Sequence, residues 1–285
     1  MVKKLLQYYQ IFCNLSLDVV LGVICCMLPL PSLFHISLPL SWYITLPLGT
    51  WFIYLADHVV DVTRKTKDYP SPRHRFIKRN LRSIIAIMVC ISVVIAWQVL
   101  HPFSTLLFTV GSILAAIVVL HLFIVRINPT RHSWYNNKEL AISIIYAAGI
   151  YAAPVMVLHQ QGTSILLPIY CAFLLAVIAF INLLMASILE LKWDEEMDNT
   201  SLVRVMGMKA SIFLFNSLLL VCGFGIGLFL RKAPVEYAPM LLCYLVMALS
   251  HFFIYKRRHV LLNHLAYRKL SEALFWLPAL AWLLG

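Results

Sequence analysis

Charge is what this chain has least of. Only 12% of its 285 residues are charged and 62% are hydrophobic, against about a quarter charged in an ordinary soluble domain. That shortage excludes a soluble enzyme of usual composition and a disordered chain. Acids are scarcest: twelve Asp and Glu stand against 23 Lys and Arg, for a net charge of +11. On so apolar a chain a basic excess reads as membrane topology, and no nucleic-acid partner is expected. Cysteine pairing is missing too. Cys13, Cys25, Cys26, Cys90, Cys171, Cys222 and Cys243 are odd in number, form no CxxC and fall in apolar stretches, as small buried hydrophobes do. Strand-like alternation is lacking, which argues against a β-barrel. A signal-peptide cleavage site is lacking as well. Lys3 and Lys4 precede an apolar stretch that Asn14 and Asp18 interrupt, with no small-x-small site after it, so a retained first span is expected.

What the chain does have is apolar length. A bilayer-spanning helix needs about 20 apolar residues, and such windows fall approximately at 11–31, 38–56, 82–101, 103–125, 139–158, 164–189, 210–230, 236–255 and 269–284. The expected fold is therefore all-α: a polytopic membrane helical bundle of about nine transmembrane helices, one domain over 1–285. Pro29, Pro31, Pro39 and Pro47 lie at the first two windows, where neighbouring helices can satisfy freed carbonyls. With the N-terminus placed in the cytoplasm, every Lys and Arg except Arg231 and Lys232 falls on the cytoplasmic side. That asymmetry is the positive-inside pattern, and it puts the C-terminus outside. The longer loops are then cytoplasmic, and chemistry is expected there.

Most of the acids sit in two places. Asp57, Asp61 and Asp68 follow the second window, and Glu190, Asp194, Glu195, Glu196 and Asp198 follow the sixth. The stretches Ala56-Asp57-His58-Val59-Val60-Asp61 and Leu189-Glu190-Leu191-Lys192-Trp193-Asp194 align without a gap, 133 positions apart (57 to 190, 61 to 194). This internal repeat suggests two pseudo-repeated halves. Carboxylates at i and i+4 share a helix face and repel, more strongly where water is scarce. One reading is a solvated turn, with Lys65 and Lys192 neutralising the charge locally. The other is a cation site. Two Mg²⁺ balance four carboxylates, and Mg²⁺ is usually held by one or two carboxylates, waters and substrate phosphates.

Basic groups for a diphosphate are at hand. Arg64, Lys65 and Arg73 stand in the run that also holds Lys67, Arg75, Lys78 and Arg79; topology and contact with anionic membrane lipid also account for such a run. Tyr135 and Lys138, at i and i+3 before the fifth window, either reach one site or serve as an interfacial aromatic and a snorkelling lysine. Asn14 and Asp18 share a face of the first window. Intramembrane polar groups of this kind either orient an acceptor or hydrogen-bond across helices to Asn182 or Ser187. His58 beside Asp57 either supplies a polar contact or, as a lone histidine, has only a structural role.

Taken together these residues resemble the UbiA superfamily of intramembrane aromatic prenyltransferases. Asp57 and Asp61 match the last two acids of that family's NDxxDxxxD motif. Glu190 and Asp194 match its DxxxD motif, with Glu in place of the first Asp. Tyr135-Asn136-Asn137-Lys138 matches its YxxK motif, and Thr200 to Gly207 resembles the tail of its second acidic loop. The order and separation of these motifs carry the likeness over nearly the whole chain. The family's Asn and first Asp fall on Ile53 and Tyr54 here, and the Arg usual in its first span is absent, so the chain resembles a divergent member.

The resemblance implies nine spans in two halves and Mg²⁺ held by Asp57, Asp61, Glu190 and Asp194. It implies an isoprenyl diphosphate donor bound with help from Lys138, Arg64, Lys65 and Arg73. Tyr135 and Lys138 would act catalytically on the leaving group, and an allylic carbocation would pass to a lipophilic acceptor held near Asn14, Asp18 and Asn182. Trp51, Phe52, Tyr54, Tyr146 and Tyr151 either line the prenyl tunnel or face core and lipid. Two other classes stay open: a lipid-diphosphate binder of the same fold without turnover, and a membrane transporter. A transporter would place its ionisable residues near the midplane, whereas these acids lie at one face.

Overall fold

The computed structural model describes residues 2–64, 72–100, 108–109, 111–113, 115–117, 138–196, 200–232, 234–262 and 266–284. In chain order the helices are α1 (Val2–Asn14), α2 (Leu17–Met27), α3 (Leu30–Phe34), α4 (Leu40–Arg64), α5 (Pro72–Arg79), α6 (Leu81–Leu100), α7 (Lys138–Gln160), α8 (Leu166–Glu196), α9 (Leu202–Met206), α10 (Met208–Leu230), α11 (Ala238–Lys256), α12 (Arg258–Leu261), α13 (Ala266–Ala273) and α14 (Pro278–Leu284). Short 3₁₀ turns cover Val235–Tyr237 and Leu274–Trp276. No strand occurs among the described residues, so the all-helical expectation holds for them.

Among the described residues six segments are long and apolar enough to cross a membrane: Leu17–Phe34, Leu81–Gln98, Lys138–Gln160, Leu166–Glu196, Met208–Leu230 and Val235–Lys256. They make the chain an integral, multi-pass membrane protein, and they correspond to six of the windows expected from sequence. The other three differ. The window 38–56 lies in α4, whose 25 residues suffice in length. Its Trp, Tyr, Thr, Pro and Gly residues leave it less apolar than the six. The window 103–125 lies almost wholly outside the described residues. The window 269–284 is broken into α13, a 3₁₀ turn and α14, with Pro278, which has no N–H to donate, at the start of α14.

The chain divides into two compact units, Met1–Ile24 with Pro39–Ser104, and Cys25–Leu38 with Thr105–Gly285. In the first, α1 and α4 are tied where the Trp51 indole N–H donates to the Leu15 carbonyl at 2.8 Å. That carbonyl belongs to a break between helices, next to Ser16 at a left-handed φ of 59°. The basic helix α5 packs on α1 and α4 through the fully buried Ile77. Asn80 then joins α5 to α6: its side-chain amide donates to the Phe76 carbonyl at 2.8 Å, and its own carbonyl accepts from the Ile84 N–H at 3.1 Å. Helix α6 exposes Ile85, Val89, Val93 and Trp97, four apart on one stripe. In water that stripe would be costly to leave uncovered; against lipid tails it is at home.

The second unit is built along α8, which packs against α7, α10 and α11. Leu174, Leu175, Ile178, Ile181, Leu184, Met185 and Ile188 bury several sides of that helix, as expected of a helix that is apolar all round. Gly162 at φ +67° lets the chain turn after α7, and the Thr163 N–H caps the Leu158 carbonyl at 2.9 Å. The polar groups that are buried here find each other. The hydroxyls of Tyr151 and Tyr244 meet at 2.7 Å, and Tyr170 donates to the Gly225 carbonyl at 2.8 Å. A Cβ at Gly225 would stand 3.1 Å from that hydroxyl, so the bare backbone is what permits the close approach. Helix α10 turns Phe213, Leu220, Phe224 and Leu228 outward. At the end of α11, Lys256 lies over Phe252 and Arg258 over Tyr255, cation–π pairs suited to a membrane–water boundary.

Candidate functional site

In the first unit Asp57 and Asp61 occupy the last two turns of α4. Asp57 is exposed and Asp61 is about a third exposed, its side chain at 37%. A helix C-terminus carries the negative end of the macrodipole, so a pair of carboxylates there is opposed by the helix as well as by its own repulsion. The structure answers with histidine. His74, on α5, places Nε2 3.3 Å from Asp61 Oδ2. His58 is buried, one turn before Asp61, and its ring meets that of His74 edge-on with centroids 5.2 Å apart. One ligating atom from each of His58, Asp61 and His74 falls within a group no wider than 4.8 Å.

Beside this cluster lies a buried ion pair. Arg73 Nη2 stands 3.4 Å from Asp18 Oδ2, with the side chains 12% and 2% exposed. The other Asp18 oxygen accepts from the Val19 N–H at 3.1 Å. Asp18 and Arg73 had separate expected roles, toward an acceptor and toward a diphosphate; here they are partners. Asn14 is buried, and its Oδ1 accepts from the Gln10 amide at 3.1 Å. Arg64 ends α4 and Lys65 follows it; the Arg64 side chain and the whole of Lys65 lie outside the described residues.

In the second unit Glu190 and Asp194 occupy the last two turns of α8, the position that Asp57 and Asp61 hold on α4. Both Glu190 oxygens are engaged by α13. Tyr267 donates to Oε1 at 2.5 Å and Arg268 donates to Oε2 at 3.0 Å. Burial, followed by the Glu190 charge, holds the Tyr267 hydroxyl well above its usual pKa, so it stays a donor at every physiological pH. Asp194 is half-buried, and its backbone carbonyl accepts from Arg204 at 3.5 Å.

A further acid, which the sequence pattern passes over, stands at the start of α7. Glu139 is 2% exposed. Its Oε1 accepts from the Ser187 hydroxyl at 2.8 Å and from the Leu202 N–H at 3.1 Å. It therefore ties α7 to α8 and caps the first turn of α9, whose own cap residue Ser201 makes no side-chain bond. Ser187, one of the expected partners of Asn14 and Asp18, is thus committed to Glu139. Lys138, the adjacent residue, is half-buried as the first residue of α7; Tyr135 lies outside the described residues. Asn182 is buried in α8, and its side-chain oxygen has no hydrogen-bond partner among the described residues.

A hard dication needs oxygen ligands with lone pairs left over. Asp57 and Asp61 present carboxylates near the end of α4, Asp57 exposed and Asp61 beside His74. Glu190 already accepts two bonds, one on each oxygen, and has one lone pair left on each. The class of the protein follows from the fold: a multi-pass helical membrane protein carrying acidic ends on two of its longest helices. No protein-family model, no curated protein and no solved structure matches the chain.

Proposed function

We propose that this protein is a divergent UbiA-like prenyltransferase, with about nine spans in two pseudo-repeated halves, a cytoplasmic N-terminus and its acidic helix ends on the cytoplasmic face. It transfers a prenyl group from an isoprenyl diphosphate to an aromatic or other lipophilic acceptor within the membrane. One observation carries this reading: α4 and α9's neighbour α8 each end in a carboxylate pair at i and i+4, within the last two turns. That is where a helix least tolerates negative charge, and where a dication has most to stabilise. Helix length agrees. At 1.5 Å per residue, α8 is about 46 Å long against a hydrocarbon core of about 30 Å, so its acidic end extends beyond the apolar layer.

Asp57, Asp61, Glu190 and Asp194 would hold the Mg²⁺, which when bound supplies Lewis-acid stabilisation of the charge that develops on the leaving diphosphate. Lys138, fixed at the start of α7, is the basic group nearest in sequence to the Tyr135 motif and neutralises the departing anion. The apolar interior excludes the water that would quench an allylic cation. Tyr267 and Arg268 hold Glu190 in one orientation, which is a positioning role. The test uses the purified full chain in proteoliposomes with isoprenyl diphosphates of several chain lengths. Mg²⁺-dependent release of diphosphate, abolished by chelator, is expected. Asp61→Asn and Asp194→Asn should each remove most of it, and the double variant should be little worse than either. Additive losses or chelator-indifferent release would overturn the assignment. The double engagement of Glu190 favours one second reading, a binder of lipid diphosphates without turnover; Mg²⁺-dependent donor binding with no release would select it.

A further inference from the structure

We propose that His58, Asp61 and His74 form a binding site for one divalent transition-metal ion of the Zn²⁺ type. The site lies wholly within the first unit, and it goes beyond the prenyl-transfer reading because metal binding there requires neither donor nor acceptor.

The geometry is close to that of a coordination sphere. At Zn–N and Zn–O distances of about 2.0–2.1 Å, tetrahedral ligands stand about 3.3 Å apart. His74 Nε2 and Asp61 Oδ2 are already 3.3 Å apart. The full set spans at most 4.8 Å, so its widest pair must close by about 1.5 Å to reach a tetrahedral edge, a movement within reach of a side-chain rotation. His58 and Asp61 lie at i and i+3 of one helix, the spacing by which helical bundles present a histidine and a carboxylate to one metal. His74 arrives from a separate element, α5, which is held by Ile77 in the core and by the Arg73–Asp18 pair. The same pair balances the guanidinium next to His74 against Asp18, so that its charge is compensated there.

The donor set decides the metal. Two imidazoles and one carboxylate suit Zn²⁺, Co²⁺ or Ni²⁺, while Mg²⁺ prefers oxygen and water. Three protein ligands leave a fourth tetrahedral position for water or a substrate oxygen, as in open zinc sites. Burial of His58 at 7% exposure strengthens the attraction of the Asp61 carboxylate for a dication.

The experiment titrates Zn²⁺ by calorimetry, and Co²⁺ by visible absorption, into metal-stripped, purified full chain in detergent. One saturable site per chain is expected. His58→Ala and His74→Ala should each weaken it by more than about a hundredfold, since even partners that only orient a ligand cost 10–100-fold. His35→Ala, which removes an exposed histidine paired with Glu236 at 3.4 Å in the other unit, should leave it unchanged. Absence of a saturable site, or unchanged affinity in the His58 and His74 variants, overturns the proposal. Should those variants fail to fold, X-ray absorption of the Zn²⁺-loaded wild type decides: two imidazoles in the metal shell support the site, and one or none refutes it.

Discussion

Arg73→Ala separates two accounts of one residue. If the basic run after the first acidic pair serves a diphosphate, losing Arg73 weakens donor binding and leaves the fold intact. The structure supports a different outcome. Arg73 and Asp18 are buried together, and the Asp18 carboxylate also accepts from the Val19 N–H. Removing one partner of a buried pair costs about 3–5 kcal/mol, because the remaining charge stays in a medium that cannot solvate it. The 3.4 Å separation is long for a charge-assisted bond, whose usual range is about 2.7–2.9 Å. The lower end, about 3 kcal/mol, is therefore expected, a change on the order of a hundredfold in the folding constant.

The controls follow from the same physics. Asp18→Asn removes the charge that needs compensation, so the double variant Asp18→Asn/Arg73→Ala should be more stable than Arg73→Ala alone, with a coupling of about 1–2 kcal/mol. Arg73→Lys keeps a cation but loses the planar fork, and should fall between wild type and Arg73→Ala. The assay is reversible unfolding of the purified chain in mixed micelles against increasing denaturing detergent. An Arg73→Ala variant within about 0.5 kcal/mol of wild type, with donor binding lost instead, would refute the structural role and return Arg73 to the diphosphate.

Three further outcomes are expected. Tyr267→Phe removes a donor to a carboxylate and should destabilise by about 1.5–3 kcal/mol. Because the folded-state pKa of Tyr267 lies above the unfolded value near 10, its contribution is fully present below pH 10 and is lost as pH rises beyond it, so unfolding midpoints measured from pH 9 to 11 should fall more steeply in wild type than in Tyr267→Phe. Glu139→Ala leaves the Ser187 hydroxyl and the Leu202 N–H without their acceptor and should cost about 2–3 kcal/mol, with Glu139→Gln costing less; the same micelle assay reads both. Cysteines placed at Ser37 and Asn80 should label from opposite sides of the membrane, and labelling of both from one side would exclude nine spans in the proposed orientation.

Apolar length made the long helices legible, because a span long enough to cross a bilayer has few competing explanations. Where the two differ, particular residues are responsible. The final window reads as continuous by hydropathy, yet Pro278 interrupts it. The paired acids were visible because i and i+4 spacing is local. Their partners were not, since His74, Tyr267 and Arg268 lie 13, 77 and 78 positions from the acids they meet, and only packing brings them there. Glu139 is not marked by the sequence pattern, being a lone acid beside a lysine. The one available signal was an acidic residue opening an apolar helix, where the positive end of the macrodipole welcomes it.

The partners of four acids differ in kind. Asp18 is answered by a guanidinium, Glu139 by a hydroxyl and a backbone N–H, and Glu190 by a phenol and a guanidinium. Those donors are fixed in kind: arginine does not give up its proton, and the buried phenol keeps its own. Such partners hold a carboxylate in one orientation. Asp61 is answered differently, by the imidazole of His74, a group that is also a common metal ligand. A carboxylate needed only for stability would be better served by Arg75, the next residue in the chain, than by His74. His58 and His74 set metal-ligating groups beside Asp61, so the chemistry of the first unit is expected at Asp61 and its scaffold at Asp18.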